Sequence, residues 1–288
     1  KSLTIKSRNI LGTVTTSLIE ALNASVFTDR QQGVVNDAWQ VGESGYPIFG
    51  FVEEVWDGKT STQYALGSGT KTNPYQISNA QELYHFAQKV NSGTSYKNNY
   101  FVLTNDIYIN GISVDGVGLN ANTFIAINGF DGVLDAQNYA VHGFYLTTLV
   151  NNQGFFGTLN GEISNLCLFN GYVEGLQYVG GVCGINNGTI TNCFNGNIIK
   201  SYGNNTGGVA GFNTNLIVNC GNIGTINAFG ENTGGIAGKS VGMIVNSYNK
   251  AQITSPSNAY TGGLVGYNSD SVVANSFNTG NIFGAGYV

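Results

Sequence analysis

The chain has 288 residues, of which 42 are glycine, 39 are asparagine and only 9% are charged. Its 11 basic and 16 acidic residues give a net charge of −5, which cannot neutralise a phosphate backbone and so excludes nucleic-acid binding. The apolar fraction of 42% excludes a disordered chain. No apolar run approaches the roughly 20 residues that a membrane-spanning helix needs, so we expect no membrane insertion.

Residues 1–50 form the first predicted segment, and they do not fit as a cap for the rest of the chain. They contain a short helical candidate over residues 16–23, followed by two apolar stretches around Trp39 and Ile48. The predicted segments after it are a linker and lead-in (51–77), a capping helix with the first irregular coils (78–153), and regular coils (154–288).

One short helix is predicted over residues 78–92. Ser78 with Gln81 three positions later forms a capping box, and Gly93 ends the helix. Its apolar face consists of Leu83, Phe86 and Val90. We expect this helix to cover the open N-terminal edge of the coils after it, because unprotected edges invite association.

The second half of the chain repeats with a period near 27 residues. The double-glycine segments place their second glycines at spacings of 27, 27 and 28 residues, at Gly181, Gly208, Gly235 and Gly263. An asparagine column keeps the same step, at Asn165, Asn192, Asn219, Asn246 and Asn275. Two apolar columns form the predicted repeat core, namely Ile190, Ile217, Ile244 and Val273, and Ile199, Ile226, Ile253 and Ile282.

Short β-prone runs that recur once per period predict an all-β fold, a right-handed parallel β-helix or β-solenoid with about 27 residues per coil. Equivalent residues then stack about 4.8 Å apart. Like charges at that spacing would repel one another, whereas asparagine side chains can hydrogen-bond along a column. Stacking therefore explains why the repeats are poor in charge.

Four of these repeats resemble the GLUG motif through the pattern GGxxGxNxGxIxNCxNxG, beginning at Gly180, Gly207, Gly234 and Gly262. The region before them is similar to the opening of GLUG domains in its WDG, NPYQI and FDGVLD elements, at residues 56–58, 73–77 and 130–135. Tandem GLUG motifs occur in large bacterial surface proteins, including adhesins and some IgA-protease-type proteins. The resemblance implies an extracellular or cell-surface β-helix with a structural or adhesive role.

Both ends of the chain depart from a closed GLUG-type domain. Residues 1–50 are similar to an LxxALN…W…GYPIL element that follows the last coil in such domains, and the repeat pattern stops at Val288 where another double glycine is due. One interpretation is a window cut from a longer tandem array. Another is a subunit that the first segment of a neighbouring copy completes, in a head-to-tail filament. An unusual self-closed monomer is a third.

Copies of the chain or adjacent tandem domains are therefore the predicted partners. The predicted joint residues are Leu18, Leu22, Trp39, Tyr46 and Ile48 in the first segment and Ile282, Phe283, Tyr287 and Val288 in the last coil. The predicted role is mechanical, because stacked hydrogen bonds and apolar columns make a stiff rod.

A polysaccharide-degrading enzyme is one alternative, because β-helices often carry such sites. Paired carboxylates would be required, and the candidates are Asp131 with Asp135 and Asp106 with Asp115. The structural interpretation is favoured, since aspartates in such turns accept backbone N–H bonds. Calcium on the same acids is a further alternative, but no loop has the EF-hand pattern. We expect no catalytic residue, cofactor or metal site.

The histidines and cysteines carry no nucleophile pattern. His85 and His142 have no serine or cysteine partner nearby in sequence, so we interpret both as surface or capping residues. Cys183 stands in a column of small core residues. Cys193 and Cys220 share a column one coil apart, a separation that permits a disulfide, and stacked free thiols are the favoured interpretation.

A glycan-binding module is the other alternative, with surface glycans as the ligand. Five aromatic residues fall near predicted turns and could stack on sugar rings: Tyr178, Phe212, Tyr248, Tyr267 and Phe277. The opposing interpretation is that these rings cover turns or make side-by-side contacts between solenoids. A lectin predicts an exposed aromatic platform, and a filament predicts order at both ends through another chain.

Overall fold

The computed structural model describes residues 37–41, 47–51, 55–110, 122–255 and 260–284. The chain divides into two compact units, Lys1–Glu54 and Val55–Val288. In the first unit, β1 (Asp37–Val41) and β2 (Pro47–Phe51) pair antiparallel, with Trp39 opposite Phe49. The second unit is a parallel β-solenoid, which confirms the predicted fold.

The described strands of the solenoid stack into four parallel sheets. Sheet I consists of β3 (Tyr75–Ile77), β4 (Tyr100–Leu103), β7 (Val133–Asp135), β11 (Glu162–Ser164), β15 (Thr189–Thr191), β19 (Leu216–Val218), β24 (Met243–Val245) and β29 (Val272–Ala274). Sheet II consists of β6 (Ile127–Phe130), β10 (Phe156–Leu159), β14 (Cys183–Asn186), β18 (Ala210–Asn213), β23 (Ala237–Ser240) and β28 (Val265–Asn268).

The other two sheets complete each coil. Sheet III consists of β5 (Ile107–Tyr108), β8 (Ala140–His142), β9 (Tyr145–Leu146), β12 (Cys167–Gly175), β16 (Phe194–Ser201), β20 (Gly221–Asn222), β21 (Ile226–Ala228), β25 (Tyr248–Asn249), β26 (Ile253–Ser255), β30 (Phe277–Asn278) and β31 (Ile282–Gly284). Sheet IV consists of β13 (Val179–Gly180), β17 (Thr206–Gly207), β22 (Thr233–Gly234) and β27 (Thr261–Gly262). A regular coil therefore runs through sheets IV, II, I and III in that order.

Helix α1 spans Ala80–Asn91 and connects the first two strands of sheet I. Its N-cap is Asn79, whose Oδ1 accepts from the Glu82 backbone N at 2.9 Å. The predicted capping box of Ser78 and Gln81 is therefore wrong by one position. Asparagine and serine are comparable N-caps, and here the buried Glu82 carboxylate is engaged with Ser78, accepting from its backbone N at 2.8 Å and its Oγ at 2.9 Å.

The helix buries its apolar face on the first coils. The ring of Phe86 lies 4.7 Å from that of Phe101 in β4 and 5.1 Å from that of Phe130 in β6. His85, predicted as a surface or capping residue, lies on this helix and is buried against the ring of Tyr64 at 5.1 Å. The cause is that the buried face of the helix is wider than the Leu83, Phe86 and Val90 stripe.

No helix in the described ranges is long and apolar enough to cross a membrane.

Candidate functional site

The residues predicted at the repeat core lie on two inward-facing columns. On sheet I, one register joins Ile163, Ile190, Ile217, Ile244 and Val273. On sheet III, another joins Ile199, Ile226, Ile253 and Ile282. The isoleucines of the earlier coils are at most 1% exposed, whereas Val273 and Ile282 are only partly buried. The residues of both columns are therefore buried in every coil before the last described one.

A buried ladder of asparagine amides runs through sheet III. Asn195 Nδ2 donates to Asn222 Oδ1 at 2.8 Å, and Asn222 donates likewise to Asn249 at 2.8 Å. Asn249 continues the ladder to Asn278 at 2.7 Å. Asn195, Asn222 and Asn249 are fully buried, so these bonds offset the loss of hydration of each amide.

The second glycine of each double-glycine pair makes room for this ladder. A Cβ added to Gly181 would overlap the side chain of Asn195, and one added to Gly208 would overlap that of Asn222. Each such Cβ would also meet the carbonyl oxygen of the glycine one coil further on. The glycine column that defines the repeat is thus required by the close approach of ladder and backbone.

A second asparagine ladder runs along a turn and begins at a carboxylate. Asn165, Asn192 and Asn219 have φ angles of 58°, 52° and 56°, a region that asparagine tolerates better than most residues. Asn192 Nδ2 donates to Asn165 Oδ1 at 3.1 Å, and Asn165 Nδ2 donates to Asp135 Oδ1 at 2.8 Å. A parallel ladder ends on Asp131, which accepts from Asn160 Nδ2 at 2.9 Å. These aspartates terminate amide ladders.

The other candidate pair is Asp106 with Asp115. Asp106 Oδ1 accepts from the backbone N of Ala140 at 2.8 Å, which joins two successive coils. Asp115 lies outside the described residues. Within the described part of the chain, no three His, Cys, Asp or Glu side chains are grouped so that they could hold a metal ion.

Burial changes the pKa of both the Cys167 thiol and the His142 imidazole, and the charge of Asp106 acts on both groups. Burial, and then the charge of Asp106, raises the pKa of the Cys167 thiol, so the reactive thiolate is disfavoured. Burial lowers the pKa of His142, which keeps its imidazole neutral. His142, predicted as a surface or capping residue, is half-buried in sheet III.

The other three cysteines are buried free thiols. Cys193 Sγ donates to the carbonyl oxygen of Thr191 at 3.3 Å, and Cys220 Sγ donates to that of Val218 at 3.3 Å. Burial raises the pKa of the Cys193 thiol well above its usual value, and the neighbouring Cys220 adds to the effect. Both groups therefore behave as small core residues.

Sequence reasoning missed a column of stacked rings on the outer face of sheet III. The rings of Tyr108 and His142 lie 4.6 Å apart with an interplanar angle of 9°, and Phe169 follows at 5.9 Å and 30°. Further along the solenoid, Tyr248 and Phe277 stack at 5.6 Å and 12°. Rings stacked this way cover part of one another's faces, which reduces the surface that could receive a sugar ring.

Of the other predicted aromatic residues, Phe212 and Tyr267 lie in sheet II, and Tyr178 directly precedes β13 of sheet IV. The rings of Tyr178 and Phe212 are 6.2 Å apart. Lys239 Nζ lies 5.4 Å from the ring centre of Phe212 and 5.6 Å from that of Tyr267, so a cation–π contact bridges the two rings. The structure therefore distributes the five predicted residues over two faces and forms no single platform from them.

The last described coil is less buried than its predecessors at every core column. Its partly buried residues are Leu264, Val265, Val273 and Ile282, and their column neighbours Ile236, Ala237, Ile244 and Ile253 are 0% exposed. The aromatic rings of Phe277 and Phe283 are 51% and 54% exposed. This apolar coil end is the candidate functional site.

The predicted joint residues are described only in part. Ile282 and Phe283 lie in β31, as part of that coil end. Trp39 and Ile48 lie in β1 and β2. The remaining joint residues, Leu18, Leu22, Tyr46, Tyr287 and Val288, lie outside the described residues.

Comparison with known proteins agrees with the repeats. Residues 257–282 match the GLUG motif, which confirms the predicted resemblance in the last coil. The protein named "Putative Gly-rich membrane protein" from Evansella cellulosilytica is 32% identical to this chain over 138 residues. That match covers 44% of this chain and spans only 15% of the length of the relative.

A similar solved structure is the one named "putative immunoglobulin A1 protease" from Bacteroides ovatus. It superposes with a TM-score of 0.60 at 24% sequence identity, over 77% of this chain and 70% of that one. At this identity the likeness shows a shared β-helix fold. The chain is thus a β-helix that matches the GLUG motif over residues 257–282.

Proposed function

We propose that this chain is a structural module of the cell surface whose β-helix is continued by a copy of itself or by an adjacent tandem domain. The incomplete burial of Val273 and Ile282, in columns that are otherwise closed, carries the proposal. Apolar side chains left open at a sheet end gain free energy when another coil covers them, at about 25 cal/mol per Å² of apolar surface buried. The GLUG repeats support a surface location.

The polar ladders favour another coil of the same kind. Asn278 is the last described member of a ladder in which each earlier asparagine donates to the next. Phe277 is stacked on Tyr248 and remains 51% exposed. A following coil could supply an acceptor for Asn278 and a ring or apolar side chain for Phe277. It would then extend both columns with the same stacking as in the earlier coils.

The first unit of a neighbouring copy is the occupant that we propose. Its hairpin of β1 and β2 pairs Trp39 with Phe49 and Val41 with Pro47. A two-stranded hairpin on its own is marginally stable in water, and we propose that it adds to the open coil end of the neighbouring copy. Addition to the last coil of another copy is a head-to-tail contact, which does not close and gives a filament.

An enzymatic role is not part of the proposal. The protease named among the similar structures shares the fold, but Asp131 and Asp135 terminate amide ladders and Asp106 joins two coils. A glycan-binding role is the alternative, and the stacked rings of sheet III do not favour it.

The experiment replaces the two open core residues together, as Val273→Ser with Ile282→Ser in the full chain. Both side chains are partly exposed, so the fold should tolerate the change. We expect wild-type protein to elongate with concentration in sedimentation velocity and negative-stain microscopy, and the variant to elongate at least about tenfold more weakly. The matched control is Tyr267→Ser, which removes an exposed apolar side chain from sheet II. Discrete monomers at high wild-type concentration, or equal elongation by the double variant, would contradict continuation by a neighbouring copy.

A further inference from the structure

A sequence pattern that recurs at sheet III is present once more in the first unit of the chain. At sheet III a small residue, an aromatic residue and an asparagine follow one another in three coils, as Cys193-Phe194-Asn195, Ser247-Tyr248-Asn249 and Ser276-Phe277-Asn278. Strand β1 reads Ala38-Trp39-Gln40, the one place in residues 1–54 where an aromatic residue precedes an amide residue. The likeness extends over nine residues, VVNDAWQVG at 34–42 against VVANSFNTG at 272–280. The first unit therefore carries the sequence of part of a further coil.

In the solenoid, the aromatic and asparagine positions of this pattern form an outer and an inner column. The outer ring of Tyr248 lies over Gly221, where an added Cβ would come within 2.6 Å of Tyr248 Cζ, and the ring of Phe277 stacks on Tyr248 at 5.6 Å. On the inner side, fully buried Asn249 donates to Asn278 at 2.7 Å. In the described part of the chain, both columns end at Phe277 and Asn278.

Asn278 has one side-chain N–H left for a following strand. Asn249 uses one N–H for the carbonyl oxygen of Ala251 at 3.1 Å and the other for Asn278. Asn278 makes the first of these bonds, to the carbonyl oxygen of Gly280 at 2.9 Å, and within the described ranges it makes no second one. A strand that covers Asn278 must therefore bring an acceptor oxygen, since a buried N–H without a partner is costly.

We infer that β1 of a neighbouring copy is the next strand of sheet III, parallel to β30, with Trp39 on Phe277 and Gln40 on Asn278. The inference rests on the proposed function, in which the first unit of one copy continues the last coil of another. Gln40 Oε1 accepts from Asn278 Nδ2, and Trp39 continues the outer column of rings. This register extends both columns at once. A slip by one residue would place Trp39 on the inner side and Gln40 on the outer side.

The backbone of β1 suits this register. In the hairpin Val41 lies opposite Pro47, which has no N–H, so these two residues cannot exchange a pair of hydrogen bonds. Bonded pairs alternate along antiparallel strands, which favours the neighbouring pair as the bonded one and directs the N–H of Val41 to the other edge of β1. In the solenoid, Thr279 N donates to Asn249 O at 2.9 Å in the coil before. In the inferred register, Val41 N donates to Asn278 O in the same way.

Disulfide cross-linking tests the register. Residues 279 and 41 are neighbours in it, with Cα atoms about 4.8 Å apart, which is within the range of a disulfide. In a Cys167→Ser background, which removes the half-buried thiol, we expect Thr279→Cys with Val41→Cys to give a ladder of covalent oligomers under mild oxidation. The matched control is Thr279→Cys with Asp37→Cys, whose second thiol lies about 13 Å further along the same strand. The control should cross-link at least about tenfold more slowly, and equal rates would overturn the register.

Substitutions at residue 40 test the amide contact. Gln40→Leu removes the acceptor and would cover the N–H of Asn278 without a partner, so we expect elongation at least about tenfold weaker than that of wild type. Gln40→Asn keeps an amide and inserts the residue that the column itself uses, so its elongation should lie within about threefold of wild type. Equal elongation by wild type and Gln40→Leu would overturn the contact between Gln40 and Asn278.

Failure of the inference and failure of the proposed function give different results. Wild-type elongation without cross-linking between residues 279 and 41 would overturn the register and leave continuation by a neighbouring copy standing. Wild-type protein that stays monomeric would contradict that continuation, and the inference with it. A disulfide between residues 279 and 41 of one chain would show that β1 closes its own solenoid, which would also overturn the contact between copies.

Discussion

The side-chain amide of Asn195 donates to that of Asn222 at 2.8 Å, one 27-residue coil further along the chain. Asn222 also accepts from the backbone N of Gly224 and donates to its carbonyl oxygen, both at 3.2 Å. One fully buried side chain therefore holds together two coils and the turn that follows. This arrangement explains why a chain with so few charges can stack its repeats, since the polar contacts are made by neutral amides.

Asn222→Ala should be among the most destabilising polar substitutions in the chain. It would remove the bond from Asn195, the bond to Asn249 and the two bonds with Gly224. Asn195 would keep its bond to Asn197 O, and the Gly224 N would keep one to Asn195 O, both at 3.3 Å. Each lost hydrogen bond costs roughly 0.5–1.5 kcal/mol, so we expect a loss of at least about 2 kcal/mol in the free energy of unfolding. Asn227→Ala is the control, because that side chain lies on the outer side of the same coil. Equal denaturation midpoints for the two variants would contradict the ladder's importance.

Asp135 should matter for stability through hydrogen bonding and not through its charge. Its Oδ1 accepts from the backbone N of Gln137 and from Asn165 Nδ2, both at 2.8 Å. Asp135→Asn keeps a carbonyl oxygen there, so we expect its free energy of unfolding to lie within about 0.5 kcal/mol of wild type. Asp135→Ala should lower the free energy of unfolding by about 1 kcal/mol. Urea unfolding measures both. Equal losses in the two variants would show that the charge itself is required.

The period of the sequence was sufficient to predict which residues stack in the regular coils. Residues 27 apart, such as Asn192 and Asn219, are stacked and hydrogen-bonded as the column predicts. The link from Asn165 to Asp135 spans 30 residues and that from Asn160 to Asp131 spans 29. The irregular first coils follow no constant step, so the period could not reveal that these aspartates terminate the ladders.

Other features depend on side-chain contacts and strand register, which the sequence does not show. Ser78 and Asn79 are comparable N-cap residues in sequence, and the choice between them is made by the position of Glu82. The sequence shows apolar residues on both sides of Ile217 and Ile244. Only the register shows that these flanking residues form one continuous outer face.

The buried thiols should be unreactive until the solenoid unfolds. Cys183, Cys193 and Cys220 are at most 1% exposed, and burial raises the pKa of Cys183 and Cys193. We expect a thiol-specific reagent such as dithionitrobenzoate to modify only Cys167 in native protein, and slowly. All four thiols should react in denaturant. Finding only two reactive thiols after unfolding would instead indicate a disulfide between Cys193 and Cys220.

His142 should make the solenoid less stable in mild acid. Burial lowers its pKa in the folded state below the ordinary 6.5, so the unfolded chain binds more protons near that pH. The contribution of neutral His142 to stability is therefore fully present above about pH 6.5, and it is lost as the pH falls below that value. His142→Phe keeps a ring between Tyr108 and Phe169 but cannot take up a proton. Between about pH 7.5 and 5.5 the melting temperature should fall less steeply for this variant than for wild type. Some acid sensitivity should remain in the variant, because the pKa of buried His85 is also lowered. An unchanged decline in the variant would show that His142 does not contribute to the acid sensitivity.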